Sequence, residues 1–329
     1  VYPRLRHTAF HIIHIALSLL RKNNKNIVSL SGLGHEVMNN LCRDISAFLE
    51  SEGFANSVQD MNGIPVIIAK SDKGDTRNIL PISILSSSVQ EAEAYSDAMA
   101  EWMKGIDANL IIITEDRWNR QQEMMKARLL AHLERFTSLY ARNCEIRRID
   151  KPAAAAFLEA CHSYGDASCR YRYGMFLKRH TGHLARSGSL APGTLVAVAE
   201  FSNARRWIKD GKEIRSYEWT RYASLPGVRI SGGMGRMLRH FIKETEPDDI
   251  MSYADLEWSG GDAYEQLGFV AEGVKEPVTF TVDARWRRCP VRPGMTERAD
   301  GAGTADRTEV RYFRNFGSRK YRLKLTEYK

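Results

Sequence analysis

Apolar and polar positions alternate along the chain with two periods, and together these periods predict a succession of helices and strands. Between residues 26 and 135 the pattern predicts a small α/β unit, in which amphipathic stretches are separated by short apolar runs. Its predicted elements are strand 27–30, helix 34–53, strand 65–70, strand 79–85, helix 88–104, strand 109–114 and a long helix over 118–140. This alternation is typical of the α/β class.

A second α/β region is predicted from residue 136 to residue 329. Lys151 and Pro152 open a helix that ends near Cys161, because proline suits the first helical turn. The later predicted elements are strands 171–178, 194–202, 216–223 and 249–255, a helix after Arg236, a short helix closed by Gly268, an irregular insertion over 282–309 and a closing hairpin over 310–325. We therefore predict two domains, 26–135 and 136–329, after an N-terminal helix or leader over 1–25.

A glycine-rich turn joins the predicted strand 216–223 to an amphipathic helix. Glycines allow a close approach to the backbone, successive amides point outward, and a helix N-terminus adds partial positive charge, so the turn predicts a site for phosphate. The candidate cofactor-binding residues are Ser231, Gly232, Gly233, Met234, Gly235 and Arg236. The alternative is a tight turn without a ligand.

A second block, Ala263 to Phe269, follows the strand 249–255 and reads Ala-Tyr-Glu-Gln-Leu-Gly-Phe. The order of strand, glycine turn, helix, strand and a helix ending in Tyr-x-x-Leu-Gly-Phe resembles the GNAT acyltransferase superfamily. The resemblance implies a mixed-sheet domain that binds acetyl-CoA or another acyl-CoA on the turn. One departure is that Ile230 stands where the family usually has Arg or Gln, and Arg229 is one residue away. The ligand therefore stays open between coenzyme A, another phosphate and none.

Further motifs narrow the resemblance over roughly residues 110 to 329. They are Phe157 to His162, Tyr171 to Gly174, Leu195 to Ala199, Arg221 to Ala223, Ser252 to Asp255 with Trp258, and Tyr264 to Phe269. Together they resemble uncharacterised phage and bacterial proteins, described as homing-endonuclease-like, that join a GNAT-like domain to a nuclease-like segment. The predicted fold is thus an N-terminal restriction-endonuclease-like α/β domain followed by a C-terminal GNAT-like domain.

Acyl transfer to an amine needs a proton acceptor, a polarised thioester carbonyl and an acid for the leaving thiolate. The resemblance places Tyr264 near the sulfur, and the alternative role for this residue is helix packing. Candidate bases are Glu218 on the strand before the turn, Asp255 at the end of the next strand, and His162 at a helix corner. Glu218 is the first choice. Each of the three also has a structural alternative, as a surface strand residue, a turn cap and a corner histidine respectively.

The N-terminal domain has few residues suited to nuclease chemistry. Leu110 to Trp118 resembles the end of a mismatch-repair-endonuclease-like unit, but Asp60 and Lys70 have Ile68 where a second carboxylate would stand. Since two acids usually hold the metal, we predict a degenerate domain and no metal site. Glu115 and Asp116 are read either as metal ligands or as helix-capping residues.

The chain carries a net charge of +8 and a pI near 9.2, which favours an anionic partner. Cations interleaved with aromatic rings suit nucleic acid, and the candidates are Arg170, Arg172, Arg205, Arg206 and Trp207. Half-buried strands have the same pattern. We predict an acyl-CoA-dependent N-acyltransferase acting on an amine, with a nucleobase in DNA as one acceptor. The alternative is a non-catalytic nucleic-acid-binding or mobile-element protein.

The five cysteines form no Cys-x-x-Cys pair, so the sequence predicts neither a zinc knuckle nor a disulfide framework. A reducing cytoplasm is the expected location. The apolar run near the beginning, residues 9–20, is too short to cross a bilayer and is read as a helix, so no membrane partner is expected.

Overall fold

The computed structural model describes residues 40–106, 110–180, 189–209, 211–291 and 310–327. The predicted segment 1–25, the strand 27–30 and residues 292–309 of the predicted insertion lie outside these ranges. Two compact units divide the chain: unit 1 comprises Val1–Gln122 and Glu276–Gly317, and unit 2 comprises Glu123–Lys275 and Ser318–Lys329. This division differs from the predicted boundary after residue 135, because a late segment of the chain packs with the first unit. Among the described residues, no helix has the length and apolarity needed to span a bilayer.

Unit 1 is built on a mixed four-stranded sheet in the order β1-β2-β3-β4, with β3 and β4 parallel and the other pairs antiparallel. The elements in its first segment are α1 (residues 40–51), β1 (Asn56–Met61), β2 (Ile64–Lys70), β3 (Thr76–Ile82), α2 (Val89–Lys104), β4 (Leu110–Thr114) and α3 (Glu115–Arg120). A smaller antiparallel sheet of β14 (Thr279–Val282), β15 (Arg288–Pro290) and β16 (Arg311–Arg314) has β14 at its centre. The predicted helix 88–104 is confirmed, and Ser88 caps it by accepting a 3.2 Å hydrogen bond from the Glu91 amide.

Unit 2 is built on a larger sheet in the order β13-β17-β12-β10-β8-β7-β6, with β9 also paired to β10. Its elements are α4 (Gln122–His132), β5 (Thr137–Tyr140), β6 (Cys144–Arg148), α5 (Lys151–Cys161), β7 (Tyr171–Leu177), β8 (Leu195–Phe201), β9 (Arg205–Lys209), β10 (Lys212–Ser224), β11 (Val228–Ser231), α6 (Gly233–Thr245), β12 (Asp249–Asp255), α7 (Asp262–Glu265), β13 (Val270–Lys275) and β17 (Ser318–Lys324). The α/β class with mixed sheets is therefore confirmed, as are the main predicted strands of this region.

Helices cover both faces of the larger sheet. On one face, Ala154 and Leu158 of α5 pack against Val198 of β8 and Ala223 of β10. On the other face, the ring of Phe241 on α6 stacks on Phe201, with 3.9 Å between ring centroids. Successive residues of β8 face opposite helices, as the period of a strand requires. This sandwich holds α6 and the turn before it against β10.

The predicted irregular insertion 282–309 contains strand β15, which pairs with β14. Two further predicted elements are wrong. The predicted helix 118–140 divides into α3, α4 and β5, because Glu134 has φ +64° and ends the helical run, and 137–140 pairs with β11 instead. The predicted hairpin 310–325 does not form. Strand β16 pairs with β14 in unit 1, whereas β17 pairs with β12 and β13 in unit 2. In both cases pairing with strands distant in sequence overrides the local pattern.

Candidate functional site

Strands β10 and β12, at the centre of the larger sheet, separate part-way along their length. They are parallel, and their ladder consists of three residue pairs, ending at Glu218 with Met251. Beyond that point β12 stays paired with β17 as far as Asp255, while β10 stays paired with β8 as far as Ser224. We call this parting the fork. Among the described residues, residues 219–224 of β10 have β8 as their sole strand partner, so the edge that faces the fork carries no ladder. Side chains bond part of this backbone, since the carbonyl of Trp219 accepts from Ser252, that of Thr220 from Arg221 and that of Arg221 from the Trp219 indole.

A β-bulge in β10 lies at the fork. The register with β8 shifts between Trp219 and Arg221, which leaves Thr220 as the additional residue. Because of the bulge, Trp219 and Tyr222 both join the core on the α6 side, although they are three residues apart. Bulges bend a strand and redirect its side chains, and they are frequent beside active sites.

Ser252 stands at the vertex of the fork. Its Oγ donates to the carbonyl oxygen of Trp219 at 2.8 Å, one residue beyond the last ladder pair, and lies 2.8 Å from the hydroxyl of Tyr264. The Tyr264 ring packs on three aromatic rings, namely Trp219, Phe269 and Tyr321, at centroid distances of 6.1, 5.5 and 5.4 Å. Tyr264 therefore has the packing role that the sequence left open, and its hydroxyl also reaches the vertex.

The environment of Tyr264 keeps its phenol protonated. Burial is the largest effect and raises the pKa of the hydroxyl above its ordinary value of 10.0, while the hydrogen bond with Ser252 and the positive charge of Arg221 oppose the rise. The negative charge of Glu218 adds to the rise in the same pKa. A neutral phenol at physiological pH is able to donate a proton.

The glycine turn adopts the conformation that an outward-pointing set of amides requires. Gly232 is the N-cap of α6 in the left-handed region, with φ +73°, and no side chain caps the helix. The Arg236 amide bonds to the Gly232 carbonyl at 3.0 Å. No hydrogen bond joins the amides of Gly233, Met234 and Gly235 to any described residue, as expected for the first turn of a helix.

The turn is held tightly from behind. A Cβ at Gly233 would lie 2.6 Å from the hydroxyl of Tyr222 and 3.1 Å from Ile230, so glycine is required by close approach. Ile230 is itself buried, within β11, and it belongs to the core of unit 2. A basic side chain at this position would have its charge buried, which is costly. Ser231, the last residue of β11, is exposed at the start of the turn.

Arg236, predicted to bind the cofactor, is bound elsewhere through one of its guanidinium nitrogens. Its Nη1 donates to the carbonyl oxygens of Ala141 and Cys144, the latter at 2.8 Å. Arg229 packs over the ring of Phe136, with its guanidinium carbon 5.1 Å from the ring centroid. Both arginines therefore fasten the segment 136–144 to the turn. A role for Arg236 in cofactor binding remains a prediction.

The three candidate bases occupy different surroundings. Glu218 is half-buried beside the fork, and no bond from its carboxylate to a described residue is recorded. Asp255 accepts the amide of Glu257 at 2.9 Å through its side chain, and its carbonyl accepts the amides of Trp258 and Ser259. His162 ends α5 and its Nδ1 accepts the Tyr164 amide at 3.1 Å. Asp255 and His162 thus perform the structural roles that the sequence offered as alternatives, and catalytic roles for all three remain predictions.

Sequence reasoning missed a buried acid beside this region. Glu200 is fully buried on β8, and accepts from Arg172 Nε at 3.1 Å and from the Ala167 amide at 3.3 Å. Burial and the neighbouring Asp166 carboxyl raise the pKa of its carboxyl to about 7, against the positive charge of Arg172. The available signal was an acid inside the apolar run 195–201.

The candidate nucleic-acid-binding residues do not all lie exposed on the protein surface. Arg172 is paired with the buried Glu200. The exposed Arg206 is paired with the exposed Glu213 at 3.0 Å. Arg170 is exposed next to the ring of Tyr171, at 6.0 Å. Arg205 and Trp207 lie on β9 with Arg206, and Lys209 approaches the Trp207 ring at 6.0 Å. Nucleic-acid binding through these residues remains a prediction.

The residues of unit 1 considered for metal chemistry either lie far apart or are bonded to other residues. Asp60 and Lys70 lie at opposite ends of the β1–β2 hairpin, since Asp60 pairs with Pro65 and Asn56 with Ala69. Five residues of strand separate them by roughly 16 Å. Glu115 and Asp116 begin α3 but bind the Ile84 amide and Arg288 respectively, rather than capping their own helix. Among the described residues, no three His, Cys, Asp or Glu side chains converge as a metal site.

Comparison with known proteins gives likenesses among solved structures. No protein-family model and no curated protein matches the chain. The ribosomal-protein-S18-alanine N-acetyltransferase of Escherichia coli aligns over 56% of this chain and 96% of its own, with 14% identity and a TM-score of 0.30. An acetyltransferase of Bacillus subtilis in complex with CoA aligns over 56% and 99%, with 13% identity and a TM-score of 0.31. Eis1 of Mycobacterium abscessus aligns over 46% and 36%, with 16% identity and a TM-score of 0.30. Similarities at these TM-scores support no argument about this chain.

Proposed function

We propose that unit 2 binds a coenzyme A thioester and transfers its acyl group to an amine. The observation that carries the proposal is the fork itself, at whose vertex Ser252 links β10 to the hydroxyl of Tyr264. A parallel pair of central strands that separates beside a glycine turn places backbone donors, a phenol and a carboxylate in one region of the sheet. Acyl transfer needs this combination of groups.

Two features fit the coenzyme. Its pantetheine arm is extended and carries amides, and residues 222–224 of β10, which have no ladder partner on the fork side among the described residues, offer backbone partners for it. Its phosphates are anionic, and the amides of Gly233, Met234 and Gly235 open a helix of 13 residues without an internal partner. A helix N-terminus with outward amides favours negative charge. The tight contact behind Gly233 keeps this turn in place.

The coenzyme supplies an activated thioester. In the proposed reaction the amine nitrogen attacks the carbonyl carbon, the new C–N bond forms as the C–S bond breaks, the amine loses one proton, and the thiolate gains one. Glu218 is the proposed proton acceptor, because its carboxylate is half-buried beside the vertex. Tyr264 is the proposed donor to the thiolate, because its hydroxyl lies at the vertex of the fork, 2.8 Å from Ser252 Oγ. Asp255 and His162 are kept as weaker candidates for the base.

The acceptor is proposed on charge alone. A net charge of +8 favours an amine carried on an anionic molecule, and a nucleobase in DNA is one such acceptor. A base within a duplex would have to be flipped out of the stack to be acylated. For unit 1 we propose a degenerate nuclease-like domain that positions substrate, because Asp60 and Lys70 lie at opposite ends of their hairpin.

Calorimetric titration of the full chain with CoA and acetyl-CoA tests the proposal, with thermal unfolding as a second readout. Ligand at a hundred times its dissociation constant stabilises a protein by about 2.7 kcal/mol, so we expect a clear upward shift in Tm. Absence of both heat and shift would remove the transferase proposal. If salt-sensitive DNA binding were found in the same preparation, the non-catalytic nucleic-acid-binding alternative would take its place.

A further inference from the structure

A diphosphate needs more than neutral amides, because two negative charges are best bound with a cation nearby. Three arginines lie close to the glycine turn in sequence. Arg229 packs over Phe136, and Arg236 donates to the carbonyl oxygens of Ala141 and Cys144. Neither guanidinium is directed by these contacts toward the amides of the turn. The remaining arginine is Arg239.

Arg239 lies one helical turn after Gly235 and on the same side of α6. A Cβ at Gly235 would lie 3.5 Å from Arg239 Nη1, so the guanidinium folds back over the first turn of the helix. The Arg239 side chain is exposed and makes no hydrogen bond or ion pair with a described residue. Its charge is thus available beside the amides that the turn presents.

A basic cavity adjoins the same residue. It has a volume of about 390 Å³ and is lined by Glu145, Ile146, Arg236, Arg239, His240 and Lys243. The one acid of the lining, Glu145, is paired with Arg147. The positive charges of Arg236, Arg239 and Lys243 are therefore not balanced within the cavity. Positive charge without a local counterion attracts an anion, and Arg239 lies at the junction of this cavity with the turn.

We propose that Arg239 is the side chain that binds the diphosphate of coenzyme A, working with the amides of Gly233 to Gly235. The inference rests on the proposed function and adds a specific cation to it. At position 235 a Cβ would make its closest contact with Leu267 Cδ2, at 3.1 Å, and an ordinary 3.5 Å contact with Arg239 Nη1.

Calorimetric affinities for CoA test the assignment in the full chain. We expect Arg239→Ala to weaken CoA binding by about tenfold or more, since a hydrogen bond to a charged group contributes roughly that factor. Arg239→Lys keeps the charge without the planar fork and is expected to recover part of the loss. Lys151→Ala is the control and is expected to change the affinity by less than about threefold, because this exposed cation begins α5, which packs on the other face of the sheet from α6.

Dephospho-CoA separates the diphosphate from the 3′-phosphate. The loss caused by Arg239→Ala is expected to be equal for CoA and dephospho-CoA, because both contain the diphosphate. A loss confined to CoA would assign Arg239 to the 3′-phosphate and overturn the proposal, and so would wild-type affinity in Arg239→Ala. If the wild-type chain bound no CoA, the proposed function would fail as well. The wild-type titration alone distinguishes that outcome from a failure of the Arg239 assignment.

Discussion

Ser252 on β12 donates a 2.8 Å hydrogen bond to the main-chain carbonyl of Trp219 on β10, one residue beyond the point at which the ladder between these strands ends. This side-chain bond takes the place of the next ladder bond. It fixes where the strands separate, and it leaves the Ser252 hydroxyl 2.8 Å from Tyr264. The position of the phenol is thus set by the geometry of the fork.

The first prediction concerns the Tyr264 hydroxyl. Tyr264→Phe keeps the ring contacts with Trp219, Phe269 and Tyr321 but removes the proton, so we expect kcat for acyl transfer to fall by about a hundredfold. CoA affinity is expected to stay within about twofold. Tyr321→Phe is the matched control, because its ring stacks on Tyr264 while its hydroxyl bonds to the Gly260 carbonyl at 2.8 Å. Equal turnover in wild type and Tyr264→Phe would exclude the phenol as the proton donor.

The second prediction concerns Glu218. Glu218→Gln removes the proton acceptor while keeping the shape of the side chain, and we expect kcat to fall by about a hundredfold at neutral pH. Activity of the variant is expected to recover partly at high pH, where more of the amine is already deprotonated. Asp255→Asn and His162→Gln are compared under the same conditions. A larger loss in either of these, with Tm unchanged, would transfer the role of base to that residue.

The third prediction concerns the space behind the glycine turn. A Cβ at Gly233 would lie 2.6 Å from the Tyr222 hydroxyl, so Gly233→Ala is expected to destabilise the protein by about 1–3 kcal/mol. Adding Tyr222→Phe removes the nearest atom and is expected to restore part of the lost stability. Denaturant unfolding measures both changes. Gly105→Ala, whose Cβ would make an ordinary 3.5 Å contact with the Trp102 carbonyl, serves as control. Additive effects of the two substitutions would argue against a direct clash.

The fourth prediction concerns pH. Burial raises the pKa of Glu200 from 4.5 to about 7, so the folded protein holds a proton there that the unfolded chain releases. The contribution of this group to stability is therefore most favourable below pH 4.5, and it falls as pH rises toward 7. Around it lie Asp166 on the preceding loop, Arg172 on β7 and the Ala167 amide.

Denaturant midpoints of wild type and Glu200→Gln at pH 5 and pH 8 check this dependence. Because the amide does not titrate, we expect the variant to gain stability relative to wild type as pH rises. Exposed Glu93→Gln on α2 controls for the loss of one carboxyl group. An unchanged difference between wild type and Glu200→Gln at the two pH values would show that Glu200 does not hold a proton near neutrality.

The sequence by itself determined the elements that depend on local chemistry. Ser88 and Asp150 cap their helices by accepting amides at 3.2 and 2.9 Å, and Gly268 with φ +87° follows the short α7, because capping and glycine conformations act over a few residues. Strands β10 and β12 were also predicted from the sequence, whereas β11, which leads into the glycine turn, was not. The glycine-rich turn was also predicted, because glycine readily adopts the left-handed conformation found at Gly232.

Tertiary structure decided everything that depends on distant partners. The strand 137–140 forms because it pairs with β11, and β17 leaves the predicted hairpin because β12 and β13 offer it two edges. Glu200 holds a raised pKa because β7 and β8 bury it beside Arg172 and Asp166. The fork arises because each strand keeps its outer neighbour, β8 or β17, after their own ladder ends. Long-range pairing and burial are properties of the folded sheet, and no local pattern of residues encodes them.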